Sequence, residues 1–418
     1  MSTAEVEVVG QDPIAPVEEE PRGLAGLYRR GMDNLKSGNL GVLPIVLGIV
    51  FIVVFFSFKA TNFFTADNFS NIIVQMAGTA MLAYGVVFVL LLGEIDLSIS
   101  YVAGIGALAV AELQLPGSGH EINGLLAMAA AVVICALIGA AQGSIVAFVG
   151  VPSFVVTLAG FMIWQGVILR QLEQPGSIII QDRWINYTAS YFFSGTAGWL
   201  IAAVITGIYT LTVLSGVIGK RRAGVAIRNP GLIIAKLIGV TAAAFGTVAV
   251  SNHAKVPHGL PLAGVLVVFF LVVLTFLAKR TTFGRHVYAV GGNAEAARRA
   301  GINVPRIRIL VFMISSAMAA VGGIILAANV NSVDLNFGGG TLLLNSIAAA
   351  VIGGVSLFGG RGEVRAAFLG ALVIATVSNG LNTAGYATGV IYMVTGVILL
   401  FAVTLDTIAR RLQVRSGR

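Results

Sequence analysis

Two carboxylates and a hydroxyl alternate at Glu94, Asp96 and Ser98 in the run Gly93-Glu94-Ile95-Asp96-Leu97-Ser98-Ile99-Ser100, with apolar sequence on both sides. An aspartate at the centre of a bilayer costs roughly 3 kcal/mol even on the lower scales. Such groups therefore need an interface, a water-lined cavity or the unpaired backbone donors of a broken helix. Three jobs fit them. Asp96, three residues before Ile99, can cap a helix that begins near residue 98. The set can line a polar path, and capping and lining are compatible. Glu94 or Asp96 can instead hold a proton or a cation.

Other polar side chains stand in apolar context at Gln75, Gln142, Asn329, Asn331, Asp334, Asn336, Asn345 and Asn379. Buried amides in lipid must find partners, so inter-helix hydrogen bonding is their default role. Gln75 and Asn345 join Glu94, Asp96 and Ser98 as candidates for lining a path. The chemistry that is missing is equally informative. Gly216-Val217-Ile218-Gly219-Lys220-Arg221 has the wrong spacing for a phosphate loop and no hydroxyl. His120, His253, His258 and His286 are scattered, and Cys135 is the single cysteine. No metal cluster, disulfide framework or catalytic constellation emerges, so the chain does not read as an enzyme.

The elements that position these residues follow from composition. Of 418 residues 57% are hydrophobic and 11% charged, against about a quarter charged in a soluble domain. Lipid must be the main solvent. The 52 glycines suit close helix packing in a bilayer. A span needs roughly 20 mostly apolar residues. Twelve candidates lie near 41–58, 69–92, 98–114, 124–149, 151–170, 196–219, 232–251, 261–278, 307–330, 342–358, 366–383 and 388–405. The third, tenth and eleventh read as short and glycine-rich. The expected fold is an all-α polytopic bundle of 10–12 spans.

The net charge of +8 does not point to nucleic acid, because the basic residues sit in short clusters between apolar runs. Lys220, Arg221, Arg222 and Arg228 mark one loop. Lys279, Arg280, Arg285, Arg298, Arg299, Arg306 and Arg308 mark another, Arg361 and Arg365 a third, and Arg410, Arg411, Arg415 and Arg418 the tail. With both termini inside, all four fall in the cytoplasm beside anionic lipid. The alternate loops, near 59–68, 115–123, 171–195, 252–260 and 331–341, are nearly free of Lys and Arg. Residues 1–40 read as a largely disordered cytoplasmic tail without a signal peptide, 41–410 as the membrane domain, and 411–418 as a second tail. The outer loop 171–195 carries Trp184, Tyr187, Tyr191, Phe192 and Phe193, either as an interfacial aromatic belt or as a docking surface for an external partner.

The basic loop 279–306 contains a capped helix. Asn293 is a good N-cap, Ala294 to Ala300 are strong helix formers, and Gly301 is a C′ stop with Pro305 beyond. Glu295 in the first turn and Arg298 and Arg299 in the last match the helix dipole. Too small to be a domain, this helix suits the groove of another protein.

Glu295-Ala296-Ala297-x-x-x-Gly301 resembles the EAA motif of importer permeases, the coupling helix that docks on a cytoplasmic ATPase of the ABC type. Phe283-Gly284-Arg285 and Ala289-Val290-Gly291-Gly292-Asn293 resemble the version in sugar permeases of the ribose/xylose group. Gly93 to Ser100 is similar to a Gly-Gly-Ile-Asp-Leu-Ser-x-Gly-Ser segment of the same group. Glu94 and Ser100 stand where many relatives have glycine, and the Ile-x-Leu-Pro of the longer motif is absent. The extra spans in 196–260 look like the xylose branch, and the likeness covers about 40–410. It implies ATPase coupling through Gly292, Asn293, Glu295, Ala296, Ala297, Arg298 and Gly301. It also implies a permease for a monosaccharide, xylose or a related pentose or hexose, in the bacterial inner membrane. The implied partners are a second copy, a cytoplasmic ATPase that binds ATP and Mg in the chain's stead, and an extracytoplasmic sugar-binding protein. An ion-coupled secondary transporter, a permease of the branched-chain amino-acid type and a non-transporting membrane scaffold are the other readings.

Overall fold

In the computed structural model, residues 43–119, 121–225, 230–255 and 258–415 are described. The expected N-terminal tail, His120 and Arg228 lie outside them. The helices, in chain order, are α1 (Leu43–Lys59), α2 (Ala66–Leu91), α3 (Ile99–Leu113), α4 (Gly124–Ser144, continued by a π-helical turn Ile145–Val149), α5 (Ser153–Leu172) and α6 (Arg183–Ser190). Then come α7 (Thr196–Arg222), α8 (Pro230–Ser251), α9 (Leu262–Arg280), α10 (Thr282–Gly292) and α11 (Ala294–Arg299). The last are α12 (Val304–Val330), α13 (Leu342–Ile352), α14 (Val364–Thr383) and α15 (Thr388–Arg415).

Each of the twelve apolar runs holds a helix, though the tenth, expected over 342–358, is helical only to Ile352 because Gly353 and Gly354 turn the chain. Eight are long and apolar enough to cross a membrane; α1, α3, α13 and the apolar part of α15 are shorter. The eleventh run, expected to be short, is the 20-residue α14. The twelfth continues past its expected end to Arg415, because nothing in its basic tail breaks a helix.

The helix starts are written in the sequence. Thr65 Oγ1 accepts from Asn68 N at 3.2 Å, Asn123 Oδ1 from Leu125 N at 2.9 Å, and Asn303 Oδ1 from Arg306 N at 3.0 Å. Each satisfies a backbone donor that the helix leaves unpaired. The core gathers round α12, which packs on α2, α3 and α4. Small residues permit those crossings. A Cβ on Gly139 would lie 2.3 Å from Phe312 O, and one on Gly323 2.0 Å from Ala103 O. The Gly139-x-x-x-Gly143 pair is thus a helix-packing face against α12.

The loops sort into two ends. At the base-poor end two short antiparallel pairs join distant loops: β1 (Ser177–Ile179) with β4 (Ser332–Asp334), and β2 (Phe192–Phe193) with β3 (Leu260–Pro261). There Gln114 Oε1 accepts from Gln181 N and Asp182 N at 2.9 and 3.0 Å. Helix α6 lies at this end, capped by Asp182. From it a ladder of rings runs to β2: Trp184 to Tyr187 is 5.9 Å, Tyr187 to Tyr191 5.4 Å and Tyr191 to the half-buried Phe193 5.0 Å between centroids. The other end holds the basic loop 279–306, the segment 92–98 and the loop 353–363.

Candidate functional site

Helix α2 stops at Leu91, and Gly93 turns the chain with φ +76° before α3 begins at Ile99. Asp96 lies in this break and is 4% exposed, so every lone pair must be served by protein. Its Oδ1 accepts from Ser98 N at 3.0 Å and Ser98 Oγ at 2.7 Å, and its Oδ2 accepts from Ser315 Oγ of α12 at 3.1 Å. Asp96 thus closes the turn just ahead of α3, whose N-cap Ser98 makes no side-chain cap bond, and is tethered to the central helix. Ser98 has one hydroxyl proton, and Gln142 Oε1 is also 3.0 Å from that hydroxyl. The carboxylate is the stronger acceptor, so the Gln142 amide, whose Nε2 is otherwise unpartnered, turns to donate to Ser98. Helix α5 completes the cradle: Ile95 N donates to Ser153 Oγ at 3.2 Å, and Thr157 Oγ1, which donates to Ser153 O at 2.8 Å, lies 3.2 Å from Ile95 O. Glu94 forms an ion pair with Arg308 at 3.2 Å, beside the start of α12.

The basic loop abuts this break. Asn293 Oδ1 accepts from Ala296 N at 2.9 Å and starts α11; Gly301 ends it with φ +84°. Ala297 is buried, whereas Glu295, Arg298 and Arg299 are exposed. Glu295 bonds to Arg298, and to Arg299 at 3.1 Å. The helix therefore presents a charged face and is anchored by an alanine. Preceding it, α10 starts at Thr281, whose Oγ1 accepts from Gly284 N at 3.1 Å. Phe283 stacks on Phe88 of α2 with centroids 6.4 Å apart.

Three backbones meet where α10 ends. A Cβ on Gly291 would lie 1.7 Å from Leu91 O and 3.0 Å from Gly360 N. One on Gly359 would lie 2.8 Å from Gly291 O and 2.9 Å from Gly93 N. Gly360 N donates to Leu91 O at 2.9 Å. Only glycine fits such a crossing. It joins the end of α10 just before α11, the end of α2 that leads to Asp96, and the loop before α14. A Cβ on Gly292 would meet nothing within 4 Å, so the tight approach falls on Gly291 of the same motif rather than on the coupling candidate Gly292.

A polar clasp reinforces the crossing. Tyr288 Oη donates to Gly362 O at 2.7 Å, and Lys279 Nζ lies 2.9 Å from Glu363 Oε1 and 5.1 Å from the Tyr288 ring. Burial opposes the charge on Glu363, but hydrogen bonds and charges from Lys279 and Arg365 outweigh it and hold the carboxyl below its usual range. Burial pushes the Tyr288 phenol above its ordinary value.

Gln75 and Asn345 belong to a second locality. Both lie in the parts of α2 and α13 nearer the base-poor end, away from the Asp96 break. Asn68 Nδ2 donates to Asn379 Oδ1 at 2.8 Å, and Asn379 Nδ2 donates to Gln75 Oε1 at 3.2 Å. Asn68 and Asn379 are buried, but Gln75 is exposed on the side of α2 that also carries Asn71. Asn345 Nδ2 donates to Thr341 Oγ1 at 3.3 Å, leaving its buried Oδ1 without a partner. The five path candidates thus do not form one site: Glu94, Asp96 and Ser98 share the break, while Gln75 and Asn345 have separate partners. Among the described residues no cluster of His, Cys, Asp and Glu could hold a metal ion.

Residues 68–403 match the family described as the branched-chain amino acid transport system permease component. The chain is 33% identical over 386 residues to the xylose transport system permease protein of Escherichia coli strain K12, covering 91% of this chain and 95% of that one. It is 30% identical over 362 residues to the ribose import permease protein of the same organism, covering 86% and 92%. It is 28% identical over 371 residues to that organism's D-allose transport system permease protein, covering 89% and 91%. No solved structure matches the chain.

Proposed function

This chain belongs to the branched-chain amino acid transport system permease component family, and from that premise we propose that it is the membrane-spanning subunit of an ATP-driven importer of monosaccharides. Sugars are favoured over amino acids because the relatives are named for xylose, ribose and allose. The observation that carries the energy source is α11. It is a capped helix with an exposed charged face, carried at the end of the bundle where Lys and Arg cluster. That face suits a groove on a soluble partner, a cytoplasmic ATPase that binds ATP and Mg. The positive-inside rule then puts this end and both termini in the cytoplasm of a bacterial inner-membrane protein.

In this reading a stroke on α11 passes through the Gly291–Gly359–Gly93 crossing to two places. One is the turn that holds Asp96; the other is α14, which carries Asn379 and orients Gln75. Asp96 acts as the latch of that turn. Gln75 and Asn345 offer amides to sugar hydroxyls, with a second copy of the chain closing the path and an external binding protein delivering the sugar. A secondary transporter would need an acid free to take a cation or proton. Glu94 is paired with Arg308 and both oxygens of Asp96 accept hydrogen bonds, so neither offers one.

Energisation discriminates the two classes. Vesicles holding the chain with its ATPase and binding protein should accumulate labelled xylose, ribose or allose only with Mg-ATP inside. Orthovanadate should stop uptake and a protonophore should not. Uptake that persists without ATP and collapses with the protonophore would overturn the proposal.

A further inference from the structure

The hairpin of α7 and α8 uses its two ends differently. Its buried residues are Gly198, Ala202 and Thr206 on α7, and Val248 and Ser251 on α8. All five lie near the β2–β3 pair, where Ala202, Val248 and Leu260 form a small separate core with Phe193 and Phe245. From Gly207 to Arg222 and from Pro230 to Thr247 no described residue is buried. Leu211, Ile218, Ile234 and Ile238 stand open there. Only 11% and 6% of the apolar windows of the two helices are covered by protein, against 83% for α2.

This uncovered half is also the cationic half. Lys220, Arg221 and Arg222 occupy the last turn of α7, and Lys236 stands two turns into α8. No Asp or Glu occurs between Asp182 and Glu295 in the sequence. Among the described residues none of these four cations is paired with a carboxylate. A helix of 27 residues is about 40 Å long, and the hydrocarbon layer is about 30 Å thick. If the packed end sits at one interface, the last turn of α7 reaches the opposite headgroups. Lys236, about 9 Å in from Pro230 along the axis, can extend its stem to the same level.

We propose that the uncovered half of this hairpin is a binding surface for anionic phospholipid, whose headgroup meets Lys220, Arg221, Arg222 and Lys236 while its acyl chains cover the apolar faces. Charge complementarity and apolar cover coincide there: four cations without a carboxylate partner among the described residues stand on helices that protein barely covers. Each basic side chain near a membrane surface enriches anionic lipid roughly fivefold. The surface is built from helices other than those of the coupling loop and does not depend on the importer reading.

The test uses the full chain in phosphatidylcholine vesicles that contain a minor share of brominated lipid. With Cys135 replaced by serine, a fluorophore is attached at Ile218→Cys or, as a control near the packed end, at Leu200→Cys. At residue 218 brominated phosphatidylglycerol should quench at least about threefold more than brominated phosphatidylcholine. At residue 200 the two should quench alike. The variant K220Q/R221Q/R222Q/K236Q should abolish the preference at 218, as should 1 M salt in large part. Equal quenching at 218 in the parent, or a preference that survives in the variant, overturns the proposal. So does an absence of quenching by either lipid in the complete complex, since a protein would then cover the surface.

Discussion

Replacing Gly291 with alanine is expected to lower sugar uptake at least about tenfold while leaving the ATPase bound and hydrolysing. The added Cβ would lie 1.7 Å from the Leu91 carbonyl oxygen, so one backbone must move by more than an ångström. Overpacking of this kind costs ~1–3 kcal/mol, and about 1.4 kcal/mol is tenfold in an equilibrium. The displacement falls between α11 and the Asp96 turn but leaves the charged face of α11 intact. Loss of transport with retained hydrolysis is therefore the expected signature. Gly359→Ala should reproduce it, because its Cβ would meet Gly291 O at 2.8 Å and its φ is +86°. Gly292→Ala meets nothing within 4 Å and should insert and remain folded like the parent. Uptake and ATP hydrolysis measured side by side in vesicles give the coupling ratio. Parental uptake by G291A would mean that the crossing transmits nothing.

The second large effect is expected at Asp96. Truncation to alanine strands two donors, Ser98 N and Ser315 Oγ, and leaves Ser98 Oγ with only the Gln142 amide. Each buried unpaired donor costs ~1–3 kcal/mol, so D96A should lose on the order of 3 kcal/mol or more. It should accumulate poorly and aggregate at a distinctly lower temperature in detergent. Asparagine keeps an acceptor for Ser98 and offers an amide donor to Ser315, so D96N should fall between D96A and the parent. Ser315→Ala removes one bond at one oxygen and should cost about 1 kcal/mol. Heat resistance equal to the parent in D96A, with uptake alone lost, would make Asp96 a contact for the solute rather than a latch.

Much of this architecture was legible because lipid constrains it so tightly. A bilayer demands long apolar runs, and all twelve runs read from composition hold helices. The cap Asn293 and the stop Gly301 also delimit α11 as their side-chain chemistry requires. The turn that Asp96 closes ahead of α3 is local, so its bond with Ser98 N was visible. Its second partner was not, since Ser315 is 219 positions away and looks like any small residue in an apolar helix. The same distance problem hid Asn68, whose partner Asn379 lies 311 positions on. Helix α10 escaped notice for another reason: its glycines and β-branched residues are weak helix formers, and packing such as Phe283 on Phe88 compensates for them. The weight on Gly291 rather than Gly292 came from a crossing of three distant backbones, which no single stretch of sequence contains.

The central claim is that α11 is the surface through which a partner's ATP cycle reaches the bundle. Its most direct test is co-purification of the ATPase with the variant E295K/G301L, read beside uptake. Lysine at 295 reverses the charge that pairs with Arg298 and Arg299, and leucine at 301 must adopt a φ of +84° that strains any side chain. The variant is expected to insert into the membrane, lose the ATPase and stop accumulating sugar. An ATPase that stays bound, with uptake at the parental rate, would contradict it.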